Sequence, residues 1–385
     1  MNRCKICVIP DTRPDTHFED GICSACRSYA KRTEIDWALR HQELLNLLER
    51  HKGKREFDCI VPSSGGKDSH YQVLTMIELG VKPLVVTATT CQLTPIGRKN
   101  IDNLARYATT IEVSPNKTVR AKLNRLGLEM VGDISWPEHV SIFTTPFNIA
   151  SRMGIPLIFY GESPQNQYGG PPGSEEAKIM TRRWVSEFGG FLGLRPSDLI
   201  GQLGLTERDM QDYMISPSRH KTVELFGEDI EAHFLGQYLG WDSDENARLA
   251  AAHGMEQKAP MPGQWEAENL DNAQTGLHDH MMYRKYGYGR LCAQLSVDVR
   301  KGKITREHAL ESVIYNDGMF PFEYAGVHYT EVLKQIEISD HHLMDIIDKY
   351  TDWSLFTGKP DFYSRRPNLK DAGHENHTVP VEARS

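Results

Sequence analysis

Long apolar segments are missing from this chain. No run approaches the roughly 18 consecutive apolar residues that a membrane span requires. The opening residues, MNRCK, lack the apolar core of a secretory signal peptide. These absences predict a cytoplasmic protein with no membrane insertion. In that compartment cysteines are normally kept reduced.

An excess of positive charge is absent as well. The 44 lysines and arginines are outnumbered by 52 aspartates and glutamates, which gives a formal net charge of −8 at pH 7. Proteins that bind nucleic acid usually present a basic face, because phosphate contacts supply most of the affinity. The balance favours a small-molecule substrate and no nucleic-acid partner, although a local basic patch is compatible with an acidic total.

Strand and helix patterns alternate from about residue 58. Short apolar segments predict strands at 58–62, 82–90, 111–113 and 156–160, with helical periodicity between them. This alternation predicts an α/β fold with a doubly wound parallel sheet, because successive parallel strands need a crossover connection, usually a helix. Ligands of such sheets bind at the carboxyl ends of the strands.

The 385 residues divide into four predicted parts. An irregular, cysteine-rich segment covers 1–30, and the sheet with its helices covers 31–170, beginning with an amphipathic helix at 34–51. Residues 171–369 carry mainly helical periodicity. The polar tail at 370–385 is expected to be disordered.

A glycine-rich turn, SSGGKDS at 63–69, lies between the first strand of the sheet and its helix. Two glycines allow backbone N–H groups to approach an anion, and the following helix adds the positive end of its dipole. Serine hydroxyls and the mobile charge of Lys67 complete a phosphate site, and the alternative is an ordinary βα turn. The turn does not have the spacing of the Walker phosphate-binding motif, in which four residues separate the first glycine from Gly-Lys-Ser/Thr. The predicted nucleotide-binding residues of the loop are Ser64, Gly65, Gly66, Lys67, Asp68 and Ser69.

The loop resembles the Ser-Gly-Gly-x-Asp-Ser signature of the PP-loop ATP pyrophosphatases, whose fold is of the adenine nucleotide alpha hydrolase-like type. That resemblance implies cleavage of ATP between its α- and β-phosphates, with the loop holding pyrophosphate. It implies further that Asp68 helps to hold Mg²⁺ and that Thr87 and Ala88, at the end of the second strand, line the adenosine.

Two CxxC pairs, separated by fifteen residues, open the chain: Cys4 with Cys7, and Cys23 with Cys26. This spacing is typical of a four-cysteine zinc knuckle. Disulfides and a redox CxxC are the alternatives, and the expected reducing compartment disfavours the former. Four protein ligands leave no open position, so the predicted zinc is structural. Cys59 is predicted to be a core residue, and Cys91 and Cys292 receive no role.

Longer segments resemble the N-acetyl sugar amidotransferases of surface-polysaccharide biosynthesis. They are 4–14, 132–139, 161–171, 181–190, 278–290 and 300–307, with Ser163 departing from an expected asparagine. The resemblance implies that ATP adenylylates the oxygen of an acetamido group on a nucleotide-linked sugar, most readily a UDP-2,3-diacetamido uronic acid. Ammonia then displaces AMP from the O-adenylyl imidate and leaves an acetamidino group.

Further site residues follow from their positions. Glu162 comes directly after the fourth strand and is predicted to contact substrate or Mg²⁺ as a catalytic residue with Lys67 and Asp68; a loop-capping carboxylate is the alternative. Predicted sugar-binding residues are Asn166, Tyr168, Gly169, Arg182 and Arg183, the arginines being equally compatible with a solvated helix face. A second polar set lies on one later helix: His278, Asp279, Lys285 and Arg290. Zinc binding by His278, Asp279 and His280 is disfavoured, because adjacent residues diverge around a helix.

A built-in source of ammonia is missing, since the chain has no Gly-x-Cys-x-Gly nucleophile elbow. The resemblance therefore implies a separate class I glutaminase that delivers ammonia. A tRNA-thiolating enzyme is the alternative function, and a non-catalytic ATP-binding subunit is a third. The acidic charge and the lack of a further CxxC count against the thiolase, and the intact loop counts against the subunit.

Overall fold

The computed structural model of the protein describes residues 1–161, 178–181, 184–185, 189–215, 229–259, 265–360 and 364–370. Within them the strands are β1 (Phe18–Glu19), β2 (Ile22–Cys23), β3 (Cys59–Pro62), β4 (Pro83–Ala88), β5 (Thr110–Val113), β6 (Leu157–Tyr160), β7 (Glu231–Phe234), β8 (Glu323–Tyr324) and β9 (Val327–His328).

The α-helices of the same residues begin with those around the sheet: α1 (Ser24–Ala30), α2 (Trp37–Glu49), α3 (Lys67–Glu78), α4 (Pro95–Leu104), α5 (Lys117–Val131), α6 (Trp136–Met153), α7 (Glu207–Met210) and α8 (Ser243–Ala252). Those nearer the C-terminus are α9 (Thr275–Tyr286), α10 (Arg290–Arg300), α11 (Arg306–Asn316), α12 (Tyr329–Gln335) and α13 (Asp340–Tyr350).

Five strands form one parallel sheet in the spatial order β5-β4-β3-β6-β7. β3 pairs in parallel with β4 on one side and with β6 on the other. The strand order reverses between β3 and β6, and a crevice opens outside the carboxyl ends of two such strands. The predicted α/β fold with a parallel sheet is confirmed.

Helices cover both faces of this sheet, as a doubly wound arrangement requires. On one face α6 contributes Phe147 and Ala150 to a core with Ile60 and Ile158. On the other face Leu44 of α2 and Val73 of α3 pack with the alternate strand residues, including Val61. Near-continuous burial along β3, β4 and β6 explains why these segments are apolar runs rather than alternating ones.

Local signals set the ends of the helices. Thr94 accepts a hydrogen bond from Gly97 N, and Pro95 follows it, so α4 begins there. Asn116 caps α5 in the same way. That helix ends at Gly132, whose φ of 61° lies in the left-handed region that favours glycine.

The fifth strand of the sheet was not predicted. β7 pairs in parallel with β6, from Leu157 opposite Glu231 to Tyr160 opposite Phe234. It lies inside the range 171–369 that carries mainly helical periodicity, so the sheet extends beyond the predicted 31–170. The segment Glu231-Ala232-His233-Phe234 is short and mixed in polarity, and the neighbouring strand supplies the pairing and burial that make it a strand.

The C-terminal helices form their own core against the end of α5. Leu128 and Ile134 pack with residues of α9, α12 and α13 such as Leu277 and Leu343. The cysteine-rich N-terminal segment packs on α10 and α11, where Cys292 and Val313 are fully buried. Among the described residues, no helix combines the length and apolar character needed to cross a bilayer.

Candidate active site

The glycine-rich turn after β3 leads directly into α3, as predicted. Gly66 precedes the first residue of the helix, and no side chain among the described residues caps it. The first amides of an uncapped helix can bind an anion, and the helix dipole favours negative charge there. Ser69 Oγ accepts from Ser64 N, and Ser63 Oγ accepts from Gly65 N, so hydroxyls hold the turn in shape.

The two glycines of the turn have different constraints. Gly65 has a φ of 80°, and a Cβ there would lie 2.9 Å from the backbone nitrogen of Ile101. Gly66 has an ordinary φ of −76°, and among the described residues its Cβ would meet only Ser64 Oγ, at 3.5 Å. The fold therefore requires glycine at the first position but not at the second.

Lys67 is not the mobile charge that the sequence predicts. Its side chain is buried, and its Nζ lies 2.6 Å from both Asp68 Oδ2 and Glu268 Oε1. Asp68 Oδ1 also accepts from Asn246 Nδ2 at 2.8 Å. This ion-pair network anchors the turn.

A cavity of about 290 Å³ opens beside the turn at the carboxyl ends of β3, β4 and β6. Of the predicted nucleotide-binding residues, Ser64, Ser69 and Ala88 line it; Lys67 and Asp68 are not among the described residues in its wall. Thr87 does not line it either, since successive side chains on a strand point to opposite faces. Its buried hydroxyl has no hydrogen-bond partner among the described residues.

Another part of the cavity lining comes from much later in the chain. It includes Asn269, Asp271, Asn272 and Thr275, together with His278 on α9 and Arg290 on α10. The backbone around Asp271 is fixed against the start of α4, because Thr94 N donates to Asp271 O. The cavity thus joins the glycine-rich turn to His278 and Arg290, two of the four residues of the second polar set. The prediction that all four lie on one helix is wrong, because α9 ends at Tyr286 and Arg290 begins α10.

Asp271 is a half-buried carboxylate in this wall. Burial raises its pKa to about 6, and the nearby charge of Glu138 acts in the same direction. The described residues give this carboxylate no side-chain hydrogen bond, so it is available to a ligand. Asp271 lines the cavity, whereas Asp68 is not among the described residues in its wall.

Glu138, which also lines the cavity, belongs to a buried ion pair. Arg120 Nη1 lies 2.9 Å from Glu138 Oε1, and both side chains are almost fully buried. Asn124 Nδ2 donates to the other oxygen at 2.7 Å, and Arg120 also donates to Tyr213 Oη and Ser141 Oγ. Each charge has several partners, which is the condition for a buried pair to be tolerated.

His278 does not stand alone on its helix. Its Nδ1 lies 2.8 Å from Asp133 Oδ1, and His139 Nδ1 lies 3.4 Å from Asp133 Oδ2. Burial would raise the pKa of Asp133, but the charges of His278 and His139 outweigh it and hold that pKa well below its usual range. Both histidines line the cavity.

The remaining predicted residues of this helix region separate by role. Arg290 lines the cavity and pairs with Asp279, Nη2 to Oδ1 at 2.7 Å, so Asp279 positions the arginine. Lys285 donates to Val131 O at the end of α5 and lies over the Tyr350 ring. Seven residues of helix are about 10 Å of rise, which carries Lys285 past the cavity although it shares a face with His278.

The four N-terminal cysteines converge, and all are buried. Cys4 and Cys26 sulfurs are 3.8 Å apart, as are those of Cys7 and Cys23. A tetrahedron with Zn–S bonds of about 2.3 Å has edges of about 3.8 Å, so the cluster fits the predicted zinc knuckle. Arg306 Nε donates to both Cys4 O and Cys7 O, which ties the knuckle to α11.

Several predicted residues lie outside the described part of the chain. They are Glu162, Asn166, Tyr168, Gly169, Arg182 and Arg183. Gly161, immediately before them, lines the cavity.

Sequence reasoning missed Asp133, Glu138, His139 and Asp271. The first three stand in the segment 132–139, which carried part of the family resemblance but suggested no role. Asp271 had no signal of its own, because nothing in its neighbourhood shows that the backbone returns to the sheet edge.

Comparison with known proteins gives one family match. Residues 264–367 match the family described as LPS biosynthesis protein WbpG-like, C-terminal domain. No curated protein matches the chain. Among solved structures, NMN synthetase from Francisella tularensis has 13% identity and a TM-score of 0.27, covering 59% of this chain and 99% of that one. This similarity is too low to indicate a shared function.

The matched segment is well under half of the chain, but it holds the later residues of the cavity wall, from Asn269 to Arg290. The match shows similarity of residues 264–367 to a WbpG-like C-terminal domain.

Proposed function

We propose that the protein is an ATP-dependent amidotransferase that converts an acetamido group of a nucleotide-linked N-acetyl sugar into an acetamidino group. One observation carries the proposal. Residues of the glycine-rich turn and residues of the segment that matches a WbpG-like domain line the same cavity. A nucleotide and a sugar can therefore meet between them.

The turn and α3 would bind the phosphates of ATP. Anion binding there uses the amides at the start of α3, the hydroxyls of Ser64 and Ser69, and the absence of a side chain at Gly66. Ala88 at the end of β4 would contact the adenosine. Mg²⁺ would neutralise charge on the phosphates. Asp271 would be its ligand, because this carboxylate lines the cavity and has no side-chain hydrogen bond among the described residues.

The reaction begins with the acetamido oxygen, which is a poor leaving group. That oxygen attacks the α-phosphorus, pyrophosphate departs, and the amide nitrogen gives up its proton, which yields an O-adenylyl imidate. Ammonia then adds to the same carbon and AMP leaves, so the product is an amidine. The protein's share is orientation and stabilisation of phosphate charge.

The sugar would lie toward α9 and α10. Arg290, positioned by Asp279, can hold a uronate or a nucleotide phosphate. Glu162, Asn166, Tyr168, Gly169, Arg182 and Arg183 remain the predicted contacts from the loop after β6. The proposed substrate is a UDP-2,3-diacetamido uronic acid, an intermediate of O-antigen or related surface polysaccharides, handled in the cytoplasm.

Ammonia would come from a separate class I glutaminase. The proposal predicts that the purified chain uses ammonium salts well and glutamine poorly. Equal efficiency with glutamine and ammonium would remove the need for that partner.

The test of the function is direct. Purified protein is incubated with Mg-ATP, ammonium and candidate UDP-diacetamido sugars, and mass spectrometry follows replacement of one oxygen by NH. We expect AMP and pyrophosphate to form with the amidine, one for one. Release of ADP would contradict the proposal, and so would turnover that requires tRNA and a sulfur donor instead of the sugar.

A further inference from the structure

Three side chains from separate elements converge at the cavity wall. Asp133 lies in the turn between α5 and α6, His139 in the first turns of α6, and His278 near the start of α9. The donor atoms of the three, one from each side chain, lie within 4.8 Å of one another. Both imidazoles direct Nδ1 at the carboxylate of Asp133, and their rings meet edge to face at 5.2 Å.

Hydrogen bonds among the described residues do not satisfy all the polar atoms of these three side chains. Asp133 Oδ1 receives His278 Nδ1 at 2.8 Å and Ser135 N at 2.8 Å. His139 Nδ1 is shielded from solvent and makes no hydrogen bond with any described residue; it lies 3.4 Å from Asp133 Oδ2. A buried nitrogen without a hydrogen bond is costly, and a cation between the three groups would remove that cost.

The donor set indicates which cation. Two imidazole nitrogens and one carboxylate oxygen suit zinc and the neighbouring divalent transition metals, whereas Mg²⁺ and Ca²⁺ prefer oxygen ligands throughout. Ser135 N fixes the carboxylate, as second-shell groups do at metal sites. His139 and His278 both line the cavity, so positions not filled by protein would be open to it.

We infer that Asp133, His139 and His278 bind one divalent transition-metal ion at the cavity wall, separate from the ion of the cysteine knuckle and from magnesium bound with ATP. The inference stands on the geometry of the three side chains. Its use in the proposed reaction, as an anchor for a carboxylate or carbonyl oxygen of the sugar, depends on the proposed function.

The experiment counts metal in the full-length protein, without an activity assay. Protein produced with added zinc and freed of loosely bound ions is analysed for zinc per chain. We expect two equivalents in the parent, and one in His139→Ala and in His278→Ala. Cys7→Ser should lose the other equivalent. His342→Ala is the matched control, because His342 also contacts a carboxylate, Glu129, yet lies outside the cluster; it should keep both ions.

A second measurement needs no variant. Anomalous diffraction at the zinc edge from crystals of the parent should give one peak among the four cysteines and one among Asp133, His139 and His278. One zinc per chain, with a single peak at the cysteines, would overturn the inference. So would an unchanged count in both histidine variants. These counts do not depend on turnover, so failure of the metal site and failure of the proposed function are distinguishable.

Discussion

Substitutions at Gly65 and Gly66 test the role of the glycine-rich turn in folding separately from its proposed role in phosphate binding. Gly66→Ala introduces a methyl at an ordinary φ, in normal contact with Ser64 Oγ. We expect its stability to change by no more than about 1 kcal/mol, while Mg-ATP affinity falls about tenfold or more, a cost near 1.4 kcal/mol. Thermal unfolding and titration calorimetry measure the two effects.

Gly65→Ala is the matched comparison. A positive φ and the 2.9 Å approach to Ile101 N predict a loss of stability of about 1–2 kcal/mol or more before any ligand is added. Unchanged ATP affinity in Gly66→Ala would mean that phosphate does not approach this turn.

The stability of the folded protein should depend on pH through Asp271. Its folded-state pKa of about 6 lies above the usual 3.8, so folding favours the protonated form. Stability from this group is present below the unfolded pKa and declines as the pH rises toward 6. Asp271→Asn should therefore raise the melting temperature at pH 8 and change it little below pH 3.8.

The same substitution should lower activity, because a carboxylate that could bind magnesium is removed. In the parent, kcat/KM should rise as the pH increases through about 6, and this limb should be absent from Asp271→Asn. A variant that is both less stable at pH 8 and fully active would contradict both parts.

The Arg120–Glu138 pair predicts a large effect on folding. Glu138→Ala leaves Arg120 buried without its carboxylate, and breaking a buried pair in this way costs about 3–5 kcal/mol. Glu138→Gln keeps the shape and the contact with Asn124 and should cost less. Urea unfolding would measure the free energy of unfolding of both variants and of the parent. Equal, small costs in both variants would mean that the pair is not buried in solution.

At the scale of elements, one arginine joins the N-terminal knuckle to α11. Arg306 donates to the carbonyls of Cys4 and Cys7. We expect Arg306→Ala to lower stability by about 1–3 kcal/mol and to speed the loss of zinc to a chromophoric chelator. Arg195→Ala is the control, since Arg195 is largely exposed and pairs only with Asp198 among the described residues. Equal zinc-release rates in the parent and in Arg306→Ala would contradict a stabilising contact between Arg306 and the knuckle.

At the scale of the whole molecule, the knuckle shares a buried cluster with α10 and α11. Its cysteines share a buried cluster with Tyr288 and with Cys292 of α10. Arg290, at the start of α10, lines the cavity. Cys7→Ser should therefore lower the melting temperature by several degrees and weaken sugar-dependent turnover, because metal binding contributes folding free energy. Cys91→Ser, outside the cluster, should do neither. A separate low-temperature transition confined to the knuckle would contradict this coupling.

Much of the fold follows from patterns that are local in the chain. Apolar runs at β3, β4 and β6, with helices between them, are enough to predict a parallel sheet, because buried parallel strands have that composition. β7 was not predictable in this way, since its four residues gain their strand character from β6.

The sequence by itself determined the features that depend on short spacing: the glycine turn between strand and helix, the two CxxC pairs, and the first four strands. Tertiary structure decided which distant side chains meet. It buries Lys67 against Glu268, brings His278 and His139 to Asp133, and sets Asp271 beside the turn. Local periodicity fixes which face of an element a residue occupies, but only the packing of whole elements fixes what that face contacts.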